Sequence, residues 1–210
     1  AASDYSGMGA PGPSSYLVGP LEGRGILDSM RAVLNPSDLI GSVPINQSKL
    51  GVYGKSQGGE AVLSAREIAP TSSAELDIAG GVSLAPGLTP GLQGVLNAVA
   101  SNPTSTSQNM FVLLIAKSYA ENYPEDTNLD EILSDKGKEK MAILDQYCGG
   151  DLADRVVDVP LAELLNTPVA SGLVTALGKA MPGSQPLEMP VVIAEGLKDK
   201  TILPQFTHAQ

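Results

Sequence analysis

From Leu21 the apolar residues Ile26, Leu27, Met30, Val33 and Leu34 fall at helical spacing and stop at Asn35-Pro36. The spacing predicts an amphipathic helix, closed where proline disfavours the α conformation of the residue before it. Gly23 and Gly25 near its start leave room for close packing. Residues 36–38 and 44–47 read as loop, and 49–53 as a short buried strand. Residues 57–69 return to the helical period, with Gly58, Gly59, Ala61 and Ala65 making a small-residue side that suits packing on a sheet. A further strand is expected at 78–84, halted by Ala85-Pro86-Gly87.

Beyond this point the period changes. Strand signals vanish, and helical patterns occupy 93–100, 108–122, 128–148 and 161–180. A strand pattern returns at 191–196, after which Pro204 is placed to open a helix. Strands alternating with helices on both sides of a helical stretch predict an α/β protein. The expected architecture is a mostly parallel sheet flanked by helices, built from residues 1–86 and 188–210, with an all-helical insertion at 87–187.

Composition narrows the function. The 210 residues carry a formal charge of −10, with 42% hydrophobic and 17% charged residues. Such a balance offers no basic patch for nucleic acid and suits neutral or cationic small molecules. The densest basic run, Lys136 to Lys140, is interleaved with acids and reads as a solvated helix face. One cysteine, Cys148, and one histidine, His208, cannot form a disulfide framework or a cysteine-histidine metal site, and no cofactor is expected. The longest strongly apolar run, residues 110–116, is too short for a membrane span. Residues 1–20 lack the basic start and apolar stretch of a signal peptide. The chain opens on Ala1-Ala2-Ser3 and closes in what reads as the first turn of a helix, so both ends are expected to be cut.

Chemistry enters at Gly54-Lys55-Ser56-Gln57-Gly58, a G-x-S-x-G pentapeptide between a predicted strand and a predicted helix. In so tight a turn Gly54 and Gly58 would remove Cβ atoms that collide. The Ser56 hydroxyl would then project above the C-terminal edge of the sheet. The Gln57 main-chain N–H would face a developing oxyanion at a helix N-terminus, where the helix dipole favours negative charge. A serine in this place could instead simply cap the helix. A phosphate loop does not fit, because the lysine precedes the serine and the G-x-x-x-x-G-K-[ST] spacing is absent. Asp199, just past the last strand, suits an acid that orients a base; Glu195, inside the strand signal, suits it less well.

Several segments, in order, resemble the secretory lipase family. Asp4-Tyr5-Ser6-Gly7 resembles its D-[YH]-x-G motif, and Tyr16 to Gly19 followed by Gly23 to Ala32 its run into a first helix. Gly54-Lys55-Ser56-Gln57-Gly58-Gly59 resembles its nucleophile turn, and residues 74–81 the strand that follows. Gly196-Leu197-Lys198-Asp199 with Pro204 resembles its acid loop. The agreement covers most of 1–86 and 188–210 and is loose in the helical middle. It implies a partial α/β-hydrolase fold with a helical cap at 87–187, secretion, and ester hydrolysis on acyl lipids with transient contact at a lipid interface. It further implies Ser56 as nucleophile, Asp199 as acid, and Asp4 with the Gln57 N–H as oxyanion hole. Asp4 could act through its main-chain N–H or a protonated carboxyl.

Two departures stand out. Lys55 occupies a position that is commonly aromatic in the family. The family's histidine follows a further helix and strand, whereas His208 is nine positions past Asp199. The chain is therefore expected to lack its catalytic base. A secreted protein would be expected to pair Cys148 with a cysteine outside this sequence. Residues 110–115 could line an acyl tunnel or simply fill the helical core. Other functions open to the same residues are a non-catalytic binding protein on this fold, a thioesterase and a peptidase.

Overall fold

A computed structural model describes residues 2–35, 45–46, 48–87, 104, 106–166, 171–183, 185 and 189–207. Two compact units emerge, one formed by Ala1–Gly91 with Ala180–Gln210 and the other by Leu92–Lys179.

The first unit is built on a parallel sheet. Helix α1 (Gly19–Leu34) precedes strand β1 (Leu50–Lys55), helix α2 (Gln57–Ser72) and strand β2 (Ile78–Leu84). Strand β3 (Val191–Ala194) and the short helix α9 (Pro204–Thr207) complete it. The strand order is β1-β2-β3, with Lys55 paired to Leu84 and Leu84 to Ala194 at the C-terminal edge. Leu27, Val52, Val62, Ala65 and Ile78 form the buried core, joined at its rim by Ile26, Met30 and Ile68. Leu27, Val52, Val62 and Ile78 each contribute roughly 1.5–3 kcal/mol through the apolar surface withdrawn from water.

Helix α1 ends at Leu34, before Asn35-Pro36, as the pattern predicts. Helix α2 runs three residues further than the pattern predicts, across Pro70. Proline in the last turn costs only one hydrogen bond near the end, and the terminal Ser72 carbonyl accepts from Arg31 of α1, which also pairs with Glu75 at 2.6 Å. Strand β1 is buried on one face only: Val52 is covered, whereas Tyr53 is 70% exposed. The expected fully buried strand is corrected to an alternating one.

The second unit is helical apart from an isolated bridge between Leu133 and Leu165, among its described residues. Helix α3 (Asn109–Asn122) packs on α4 (Leu129–Ile132), α5 (Asp135–Met141) and α6 (Gly149–Val156). Helices α7 (Leu161–Leu164) and α8 (Ser171–Ala180) follow. The helix expected at 128–148 is broken at Ser134, whose hydroxyl accepts the Gly137 N–H at 3.1 Å and restarts the chain as α5. The sequence pattern alone did not predict α6. The helix expected at 161–180 appears as two pieces, and the one expected at 93–100 lies outside the described residues. Val112, Leu113, Ile115 and Ala116 of α3 are buried in this unit. The Lys136–Lys140 run meets Glu163, Asp130, Asp135 and Asp158 as exposed ion pairs.

Candidate active site

Ser56 is the single residue between β1 and α2, held at φ 55° and ψ −118°. A residue with a Cβ in this region stores on the order of 1–3 kcal/mol, so the surroundings must hold it there. Its N–H donates to the Leu84 carbonyl at 2.9 Å. Its carbonyl accepts the N–H groups of Gly59, Glu60 and Gly87 at 2.9, 3.1 and 3.3 Å. The hydroxyl makes no capping bond to α2, so the helix-cap alternative has no support in the geometry. Leu17 (φ 54°) and Ala85 (φ 43°) also have positive φ, and a Cβ on Gly87 would come within 3.1 Å of the Leu17 side chain.

The glycines around Ser56 are not equivalent. A Cβ on Gly54 would lie 1.9 Å from the Gly58 carbonyl oxygen, a contact between two backbones. A Cβ on Gly58 would meet nothing closer than the Tyr5 hydroxyl at 3.8 Å, so the expected collision there is absent. Gly59 takes that role, because its Cβ would lie 2.8 Å from the Leu84 carbonyl oxygen. Gly54→Ala is therefore expected to destabilise the protein by about 3 kcal/mol or more, as overpacking against backbone does, whereas Gly58→Ala costs less than about 1 kcal/mol. Urea unfolding of both variants checks the contrast.

Residues 4–8 lie beside the first turn of α2. The turn closes with the Met8 N–H on the Tyr5 carbonyl at 3.0 Å, and the Gln57 Nε2 donates to Met8 Sδ at 3.3 Å. Asp4 is exposed at the start of this turn, and its carbonyl accepts the Ser3 hydroxyl at 3.5 Å. Burial, followed by the nearby Glu22 and Glu60, pushes the Tyr5 hydroxyl up to about 12.

Two strands along the sheet from β1, the loop after β3 leaves the same C-terminal edge. Main-chain N–H groups of Thr201 and Ile202 both donate to Asp199 Oδ1, at 2.7 and 2.9 Å. These two bonds, and more weakly the charge of Lys55, hold the Asp199 carboxyl below its ordinary range. Lys55 is exposed, so its effect on Asp199 acts through solvent from the end of β1. Lys55, Leu84 and Ala194 form one row across the sheet, which puts the starts of the serine turn and the acid loop about two strand spacings, ~10 Å, apart. Glu195 is occupied otherwise: its oxygens accept the Gly196 N–H at 3.0 Å and the Thr207 hydroxyl at 2.7 Å. His208 lies outside the described residues.

Residues 1–202 match the secretory lipase family profile. The chain belongs to the secretory lipase family. A curated relative from Mycobacterium tuberculosis (strain CDC 1551 / Oshkosh), described as a probable inactive lipase, is 29% identical over 204 residues, covering 91% of this chain and 42% of that protein. Among solved structures, Candida antarctica lipase A in its closed state superposes with a TM-score of 0.61 at 19% identity, over 92% of this chain and 45% of its own. The G231F mutant of the rice cell wall degrading esterase LipA from Xanthomonas oryzae gives 0.73 at 17% identity, over 98% and 57%. These structures establish the α/β-hydrolase fold for this secretory lipase family member, which spans about half the length of the relatives it matches. Among the described residues no helix is long and apolar enough to cross a membrane.

Sequence reasoning missed two residues beside Ser56. Glu22 of α1 and Glu60 of α2 are both fully buried. The Gln57 side-chain amide and the Leu17 N–H donate to Glu22 Oε1, at 2.6 and 3.0 Å, and the Ser64 hydroxyl donates to Glu60 Oε1 at 2.9 Å. Glu22 was findable, because it falls on the apolar stripe of α1 one turn before Ile26.

Proposed function

We propose that the protein is a secreted carboxylic ester hydrolase acting on acyl lipids, with Ser56 as nucleophile. The observation that carries this reading is the strained backbone of Ser56 between a strand and a helix, with a hydroxyl that caps nothing. A serine needed only for capping would adopt an unstrained extended backbone. The family and the fold support the substrate class.

In this reading Ser56 Oγ attacks the ester carbonyl carbon while a histidine outside the described residues takes its proton. The carbonyl electrons move onto oxygen, and the Gln57 main-chain N–H at the start of α2 stabilises that oxyanion together with Asp4. Collapse of the tetrahedral species expels the alcohol, which receives the proton from the histidine. Water then attacks the acyl-enzyme by the same route and releases the acid. Asp199, ionised and fixed by two backbone N–H groups, orients the histidine. The helical unit Leu92–Lys179 would act as a cap that receives the acyl chain.

The test is hydrolysis of p-nitrophenyl esters of graded chain length by the natural full-length protein, with mass-spectrometric mapping of a fluorophosphonate adduct. Turnover with the adduct on Ser56 is the expected result. Binding of the same esters without turnover or adduct would overturn it in favour of a non-catalytic acyl-binding protein.

A further inference from the structure

We propose that Glu22 and Glu60 share one buried proton and together position the Gln57 main-chain N–H for the oxyanion. The proposal rests on the reading of Gln57 given above. Each carboxyl is fully buried, and the two lie close enough between α1 and α2 to act on each other directly. The oxygen left on each, Glu22 Oε2 and Glu60 Oε2, meets no N–H or O–H donor, so a proton between the carboxyls is what satisfies them. Two bare carboxylates in this place would repel strongly with little water to screen them.

The donors decide where the charge sits. Glu22 accepts two N–H groups, from Gln57 and Leu17, whereas Glu60 accepts one hydroxyl. Glu22 is therefore the first of the two to ionise, and Glu60 the acid that then donates to it. The charged and titratable groups nearest the pair are the Tyr5 and Tyr16 hydroxyls from the loop before α1 and Glu67 further along α2. None is a cation that could replace the proton. Burial first, and then the charge of Glu22, raises Glu60 well above the ordinary carboxylate range, and burial raises Glu22 as well.

The geometry links this pair to catalysis. Gln57 is the first residue of α2, and its N–H orientation depends on how that residue is pinned. Its side chain is pinned at 2.6 Å to Glu22, and the same carboxylate oxygen holds Leu17 in its positive-φ conformation. Glu60 is joined to the nucleophile directly, through its N–H on the Ser56 carbonyl at 3.1 Å. A single charged hydrogen-bond centre thus ties α1, the loop before it and the serine turn together.

Both carboxyls titrate higher in the folded protein than their ordinary value of 4.5. The folded state therefore holds extra protons above that pH, and the pair's stabilisation is complete below it and is lost as pH rises through the raised values. Stability of the full-length protein is expected to fall as pH rises above 4.5, through about 7 where Glu22 ionises and onward as Glu60 follows, and Glu60→Gln, whose amide N–H replaces the shared proton permanently, is expected to flatten that slope. This readout needs no activity. In ester hydrolysis Gln57→Ala, which keeps the main-chain N–H and loses the tether, is expected to lower kcat by roughly 10-fold or more with KM within about twofold, a part of the loss expected for an oxyanion donor. Glu60→Leu should lower kcat similarly, with Glu60→Gln restoring it. An unchanged pH slope in Glu60→Gln, or a full kcat in Gln57→Ala, overturns the proposal. An inactive wild type with a flattened slope in Glu60→Gln would instead fail the catalytic reading while leaving the shared proton in place.

Discussion

Replacing Ser56 with alanine is expected to abolish ester hydrolysis by the full-length protein while leaving its unfolding transition almost unmoved. The two halves of this expectation have separate grounds. Alanine carries the same Cβ into the strained backbone, so the strain is unchanged, and the lost hydroxyl made no capping bond. Stability should therefore stay within about 0.5 kcal/mol, the range of a surface change that removes no interaction. Activity behaves differently, because the members of a nucleophile-base-acid set act as one unit. Losing the nucleophile alone costs about 10⁴–10⁶-fold in kcat, close to losing the whole set. Initial rates with p-nitrophenyl butyrate, beside thermal melts of both proteins, give the answer. Retention of more than a few per cent of activity would remove Ser56 from the nucleophile role.

The turn that makes Ser56 a candidate was legible because it needs particular residue types. A strand signal, a serine between glycines and a small-residue helix cannot readily be rearranged in another order without losing the turn. Even so, the glycine requirement was only half right. Gly54 is fixed by the Gly58 carbonyl, yet the second close approach falls on Gly59, because the helix turns that residue toward the end of β2. A pentapeptide pattern counts positions and does not know which way a helix faces. The strands were readable where an apolar run ended in a turn signal, as at Ile78–Leu84. The helical unit was less readable, since Ser134 can cap a new helix inside a pattern that looks continuous. Glu22 and Glu60 were missed for another reason. A glutamate in an amphipathic helix is most often solvated, and only the approach of α1 to α2, with a Cβ on Gly23 falling 2.7 Å from the Ala65 nitrogen, buries this pair.

Asp199→Asn is expected to lower kcat by about 10⁴-fold, the loss seen when an acid that orients a catalytic histidine is neutralised. The loop itself should survive, because an asparagine Oδ1 still accepts the Thr201 and Ile202 N–H groups that now fall on Asp199 Oδ1. What would disappear is the negative charge that, in the proposed role of Asp199, holds the imidazole in the right tautomer and stabilises its protonated form. Glu195→Gln provides the contrast. Its carboxyl is engaged by Gly196 and Thr207, so it serves the join between β3 and α9 and should change kcat by no more than about threefold. The pH behaviour separates the two residues further. Asp199 titrates below its ordinary 3.8 in the folded protein, so its contribution to stability is present above that value and is lost as pH falls through the lower folded one. Asp199→Asn should therefore remove part of the acid sensitivity of unfolding while it removes activity at every pH. The acid limb of the wild-type rate profile should then report the histidine alone, because Asp199 is already ionised across that range. If Glu195→Gln proves the more damaging of the two to kcat, the acid has been assigned to the wrong carboxylate.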